Sequence, residues 1–124
     1  MYYQKNRYNK FNNVKQTYNG YSYDSRAEAD YAAELDLRLQ AKDIKDWERQ
    51  YKVEMRYPMP DGKLICTYKV DFRVHNLDGS YELVEIKGFE TDTWRLKKKL
   101  LETIWLPEHL DHTYTVVKHR SRRK

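Results

Sequence analysis

Four residues of this 124-residue chain carry reactive side chains where their local pattern favours something else: Glu28, Asp71, Glu85 and Lys87. Glu28 falls inside an apolar helical stripe, three, four and seven residues before Tyr31, Ala32 and Leu35, with Leu39 completing it. Arg26, Asp30, Glu34 and Arg38 supply the polar face instead. Ser25-Arg26-Ala27-Glu28 also fits a capping box, in which the glutamate folds back onto the Ser25 amide. Asp71 interrupts a β-branched and aromatic run between Val70 and Phe72, a setting that depletes aspartate. The plainer alternative is a solvent-facing acid beside Lys69 and Arg73. Glu85 and Lys87 are two apart on a strand and share a face, as ordinary exposed Glu–Lys neighbours do. Taken together, two carboxylates and an ammonium converging near a helix-borne glutamate would bind a hard divalent cation through oxygen. The lysine would then orient or activate a water.

The elements that must position these residues follow from periodicity and turn chemistry. Val14 to Tyr23 reads as a short hairpin turning at Asn19-Gly20. Ser25 to about Gln40 reads as a helix with Ser25 as N-cap, and Gln50 to Arg56 as a strand. Pro58-Met59-Pro60-Asp61-Gly62 is a turn segment. A long strand, Lys63 to His75, is expected to place Leu64, Cys66, Tyr68, Val70, Phe72 and Val74 on one face. Thr67, Lys69, Asp71 and Arg73 would lie on the other. Asp78-Gly79 turns into a third strand, Tyr81 to Lys87, which Gly88 ends. Pairing partners across that turn have numbers summing to about 157, which sets Asp71 opposite Ile86 to within a residue and within reach of Glu85 and Lys87. Thr91 to about Leu106 is a second helix closed by Pro107, and Thr113 to Lys118 a last strand. The expectation is one α/β domain: a mixed β-sheet flanked by helices in the order αβββαβ, with a short N-terminal hairpin.

Charge is unevenly placed. Residues 1–23 hold four cations and no acid, residues 118–124 hold five cations and no acid, and residues 24–117 are left with a net −4 out of a total of +5. Basic ends around an acidic body suit a phosphate-binding protein with a metal-binding centre. Charged ends that only keep a small protein soluble are the alternative. Tyr2, Tyr3, Tyr8 and Phe11 among the N-terminal cations could stack on bases. Residues 1–9 read as a disordered basic arm, 10–118 as the folded domain and 119–124 as a basic tail. Mean hydropathy is −1.06, and no apolar run approaches the length of a membrane span. The Met1–Arg7 segment lacks the apolar stretch of a secretory signal. The single cysteine, Cys66, forms neither an internal disulfide nor a cysteine-built zinc site, and reads as packing. A reducing, cytoplasmic setting is expected.

Lesser features carry their own alternatives. Lys97 projects into an apolar arc of Leu96, Leu100, Leu101, Ile104 and Trp105, where lysines usually snorkel, although it could reach a substrate phosphate. Lys98 and Lys99 point outward. Gly88 would let a phosphodiester approach closely, or simply end its strand. His109 and His112 lack the further ligands of a zinc site. No phosphate loop, nucleophile elbow or dinucleotide fingerprint occurs.

Glu28 on the first helix, Asp71 on the second core strand and Glu85-Ile86-Lys87 on the third resemble the PD-(D/E)XK nuclease superfamily in spacing and element order. More closely, the chain resembles small phage-encoded endonucleases known as Holliday junction resolvases. The carriers are Asn9-Lys10-Phe11, Asn19-Gly20, Tyr23-Asp24-Ser25-Arg26-Ala27-Glu28-Ala29, Gln50, Val70-Asp71-Phe72 and Glu85-Ile86-Lys87-Gly88-Phe89, followed by a lysine-rich helix. Val70 stands where the superfamily motif has proline. The resemblance implies a restriction-endonuclease-like core and a Mg²⁺-dependent endonuclease, with Mn²⁺ able to substitute and no small-molecule cofactor. It implies Asp71, Glu85 and the Ile86 carbonyl as metal ligands, Glu28 assisting, Lys87 on the attacking water and Gln50 as an auxiliary contact. The implied partner is branched DNA, held by a homodimer that cuts two opposed strands. Lys10, Lys15, Gly88, Lys97, Lys98, Arg120, Arg122 and Arg123 are the expected DNA contacts. A nuclease of the same fold with another DNA substrate, or a non-catalytic nucleic-acid-binding module with basic arms, are the alternatives.

Overall fold

In the computed structural model, residues 16–58 and 61–119 are described. Asn19 and Gly20 both take positive φ, 53° and 85°, as a two-residue hairpin turn demands, and join β1 (Gln16–Tyr18) to β2 (Tyr21–Tyr23). Ser25, at φ −148°, caps α1 (Arg26–Gln40) by accepting the Glu28 N–H at 3.1 Å. Asp36 of α1 fastens the hairpin to the sheet, accepting from the Tyr18 hydroxyl at 2.6 Å and from Trp47 Nε1 at 2.9 Å.

The main sheet has the order β3 (Ile44–Arg56), β4 (Leu64–Asn76), β5 (Tyr81–Lys87), β6 (His112–Lys118). The first three are antiparallel, and β6 runs parallel to β5 after a helical crossover. That crossover begins as α2 (Asp92–Leu100), capped by Thr91. It loosens into a π-helical turn over Leu101–Trp105 and tightens into a 3-10 turn over Leu106–Glu108. The expected helix to Leu106 is thus α-helical only as far as Leu100. Pro107 sits in the first turn of the 3-10 segment, where its missing N–H costs nothing. The whole is the single α/β domain with mixed sheet, flanking helices and N-terminal hairpin that the patterning implies. Among the described residues no helix is long and apolar enough to cross a membrane.

β5 is covered on both faces, with Leu83, Val84, Glu85 and Ile86 all buried. Val84 and Ile86 join a core with Ala29, Ala32 and Leu35 of α1, while Leu83 joins Trp94, Leu101 and Trp105 of the crossover. Adjacent strand residues face opposite ways, so the two cores lie on opposite sides of the sheet. β4 serves both. Phe72 pairs with Val84 and belongs to the α1 core with Val74; Tyr68 and Val70 belong to the α2 core. The strand therefore changes face between Val70 and Phe72. β3 changes face at the same level, with Trp47 against the α1 core and Tyr51, Val53 and Met55 against the α2 core. The residue at its switch is Gln50, at φ 53°, flanked by the pairs Arg49–Phe72 and Tyr51–Val70. The single apolar face expected for residues 64–74 is corrected accordingly, and Leu64 is exposed. Alternation in sequence persists because either face finds a core. β3 also begins six residues before the expected Gln50, its first half held by pairing to Arg73–Asn76.

Arg73 locks the α2 side of this sheet. Its guanidinium lies over Tyr51 at 4.0 Å and Tyr81 at 4.4 Å. It donates to Glu48 at 2.8 and 2.9 Å and to His112 Nε2 at 3.2 Å, leaving the His112 Nδ1–H for Asp111 at 2.9 Å. Arg73→Met keeps the stem but strands His112 Nε2 and leaves Glu48 with His75 alone. We expect a loss of roughly 2 kcal/mol, read as a melting point lower by about 5–10 °C. An unchanged melt would assign the ring packing, not the charge, as the stabilising contact.

Candidate functional site

β4 and β5 pair from His75–Tyr81 to Phe72–Val84 and no further. Beyond that point β4 stays with β3, and β5 stays with β6 through Lys87–Lys118, so the sheet forks. Asp71 and Glu85 are the next residue on each branch. They bridge the opening with side chains in place of ladder bonds: the Asp71 N–H donates to Glu85 Oε1 at 3.2 Å, and the Ile86 N–H donates to Asp71 Oδ2 at 2.8 Å. The register places Asp71 opposite Glu85 and not Ile86. The turn spans Asn76–Ser80, closed by the Asn76 N–H to the Ser80 carbonyl at 2.8 Å, and so centres on Asp78 alone.

α1 begins beside this fork. The Glu28 carboxylate accepts the Asp24 N–H, where the capping box predicted that of Ser25, and it faces Asp71, Asp24 and Glu85. Cap and site thus share one side chain. Burial, then the repulsion of Asp71, Asp24 and Glu85, pushes the Glu28 pKa up to about 8. Glu85, only 5% exposed, is likewise pushed up to about 8 by burial and then by Asp71, against the pull of Lys87. Burial raises Asp71 to about 6, opposed by the Ile86 N–H and by Lys87.

Lys87 Nζ stands 3.8 Å from Glu85 and 5.2 Å from the centre of the Trp94 ring, which steadies it from α2. Trp94 Nε1 donates to the Tyr68 hydroxyl at 2.7 Å, and the Tyr114 hydroxyl lies 3.0 Å from the same oxygen. The Tyr68 hydroxyl in turn favours the charged form of Glu85 by hydrogen bonding.

As the side chains stand, no three acids or histidines among the described residues close to the spacing of a metal cage. The donor set nonetheless suits a hard cation. One buried and two half-buried carboxylates repel one another and retain protons to unusually high pH, with one ammonium at contact distance to offset them.

The structure brings together Glu28, Asp71, Glu85, Ile86 and Lys87. Gln50 is exposed and stands opposite Asp71 at the kink. Lys97 is half-buried between Trp94 and Leu101 along the crossover, and Leu96, expected in that arc, is exposed. Lys98 is tied to Glu102 at 2.8 Å. The close approach that Gly88 allows is made by His119: a Cβ there would lie 2.9 Å from two of its ring atoms. Lys10, Lys15, Arg120, Arg122 and Arg123 lie outside the described residues. Sequence reasoning missed Asp24, Trp94, Tyr68 and Tyr114. Asp24 directly precedes the capping box, and Trp94 sits where Thr91 caps, which are usable signals; the two tyrosines look like core until the fork is seen.

Residues 8–121 match a family model described as a protein of unknown function, DUF1064. The chain belongs to the DUF1064 family. No curated protein and no solved structure matches it. The span matched to DUF1064 holds Asp24, Glu28, Gln50, Asp71, Glu85 and Lys87, so the fork lies wholly inside the sequence by which the family is defined.

Proposed function

We propose that this DUF1064 chain is a Mg²⁺-dependent endodeoxyribonuclease of the PD-(D/E)XK type that hydrolyses phosphodiester bonds in branched DNA inside the cell. The observation that carries the reading is the fork, where Asp71 and Glu85 face each other across diverging strands with Lys87 and Glu28 beside them.

Asp71, Glu85 and the Ile86 carbonyl would hold the cation, with Glu28 assisting. When bound, Mg²⁺ supplies charge neutralisation at the phosphate under attack. Lys87 orients the attacking water and places positive charge against the pentavalent phosphate, and Trp94 keeps its ammonium from wandering. Gln50, at the kink opposite Asp71, offers a polar contact to the incoming strand. Cutting two opposed strands of a junction calls for a homodimer, whose state sedimentation would read.

The test offers the purified protein a labelled four-way junction, a flap, linear duplex and single strands, with Mg²⁺, with Mn²⁺ and with EDTA. We expect EDTA-reversible nicking, strongest on the junction. Cleavage confined to another substrate keeps the nuclease and replaces the resolvase; binding without cleavage in either metal leaves the non-catalytic module.

A further inference from the structure

Two arginines of the sheet lie over pairs of tyrosine rings, one on each face, and they differ in how their charge is met. Arg73, on the α2 side, spends its charge on Glu48. Arg49 stands 4.6 Å from the centre of the Tyr21 ring and 5.1 Å from that of Tyr23. It ties itself to the β1–β2 hairpin by donating from Nη2 to the Ser22 carbonyl at 3.1 Å. Among the described residues no carboxylate pairs with it, and its other N–H groups find no acceptor. Arg49 Nε is buried without a partner, and so is the hydroxyl of Tyr23, a side chain only 3% exposed. A half-buried cation with neither acid nor acceptors is a cost to folding, and the ring faces return only part of it.

Its position gives this arginine a use. Arg49 is the cross-strand partner of Phe72, the residue after Asp71, and it precedes Gln50 at the kink. Trp47, two residues earlier, and Phe72 both belong to the α1 core, so Arg49 projects to the α1 side, the side from which Glu28 reaches the fork. Glu85 and Lys87 come to the fork from the other face. The hairpin closes the link: Tyr23 stacks on Phe72, and the next residue, Asp24, gives its N–H to the Glu28 carboxylate. The spacing of paired strands puts the Arg49 backbone about 6 Å from that of Asp71. Lys87, not Arg49, is the cation that pulls on Asp71 and Glu85, so the guanidinium stands clear of the acids with its charge uncommitted. Tyr21 is 52% exposed and Gln50 is exposed, which leaves this corner open to a substrate strand.

We infer that Arg49 binds a DNA backbone phosphate flanking the one presented to Asp71 and Glu85, on the Glu28 side of the fork. The inference rests on the nuclease reading above. The two rings and the Ser22 carbonyl fix the guanidinium plane before substrate arrives, so the remaining Nη donors meet phosphate oxygens with little ordering left to do. A phosphate supplies both the missing negative charge and the missing acceptors. The contact is independent of base sequence, since it touches only the backbone.

The experiment measures binding of the full chain to a labelled four-way junction and to linear duplex by fluorescence anisotropy in EDTA, across a salt series. Arg49→Met is expected to lower affinity for both by about fivefold to tenfold near 0.1 M salt. It should flatten the slope of log affinity against log salt by roughly 0.9, for one lost phosphate charge. Arg49→Lys, which keeps the charge but not the planar fork, should keep the slope and recover only part of the affinity. A second readout uses the parent protein and needs no folded Met variant. The Arg49 Nε–H NMR signal, identified by its loss in Arg49→Lys, should shift when the junction is added. A parental slope in Arg49→Met overturns the inference and makes Arg49 a tether for the hairpin, as does an Nε–H signal that bound junction leaves unmoved. Either result leaves the nuclease reading standing. A parent that binds neither DNA removes the phosphate contact and the nuclease reading together.

Discussion

Asp71→Asn is expected to cut Mg²⁺-dependent cleavage by at least ~100-fold, the scale of losing a key electrostatic group, while the protein folds and still binds DNA. The asparagine keeps the size of the side chain and an oxygen for the Ile86 N–H at 2.8 Å, so the fork stays bridged. What disappears is the negative charge a hard cation requires. Lys87→Ala should also lose cleavage, yet retain cation binding, because Lys87 is a donor-only ammonium 3.8 Å from Glu85 and ligates nothing. The pair of variants separates ligand from water-orienting group. Nicking of a labelled four-way junction reads the rate, and melts with and without Mg²⁺ read the cation. Near-parental cleavage by Asp71→Asn would sink the site as drawn and make the binding module the better reading.

Without a cation, the protein should lose stability as pH rises from about 5 to 9. Glu28 and Glu85 are both pushed up to about 8 and Asp71 to about 6, all above their unfolded values. The native state therefore keeps protons that the unfolded chain has already released. The stabilisation from those protons is complete below about pH 4, and it is lost as pH rises through about 6 and then about 8. In EDTA the melting point should fall by roughly 10 °C or more across that range. Mg²⁺ should recover most of the loss at pH 8 and little at pH 5, where protons already occupy the carboxylates. Glu85→Gln should flatten the pH profile and abolish the response to Mg²⁺. A melting point that is level from pH 5 to 9, or that ignores Mg²⁺ at pH 8, would show that these carboxylates do not share a cation site.

Much of the site was legible because its chemistry breaks local rules. An aspartate inside a β-branched run, a glutamate in an apolar helical stripe and a Glu-x-Lys pair at a strand end are anomalies visible one at a time, and Asp78-Gly79 is enough to bring two of them to neighbouring strands. The last residue of that register was not legible, because a two-residue turn and the longer Asn76–Ser80 loop differ by one position in pairing. The supporting residues were not legible, because Tyr68 and Tyr114 satisfy the apolar pattern and their hydroxyls find partners only in each other and in Trp94 once the fold is formed.

By itself the sequence determined the elements, their order, the Asn19-Gly20 hairpin, the Ser25 cap and the identity of Glu28, Asp71, Glu85 and Lys87, since turn chemistry, capping and period are properties of short segments. Only the tertiary structure decided which face each strand residue occupies. Period 2 records that a residue is buried and not on which side, and a sheet with two cores buries both. The face change at Gln50 and Asp71, and the end of β4–β5 pairing one residue later, arise from strands choosing between the α1 and α2 cores. That choice parts the sheet where Asp71 and Glu85 meet.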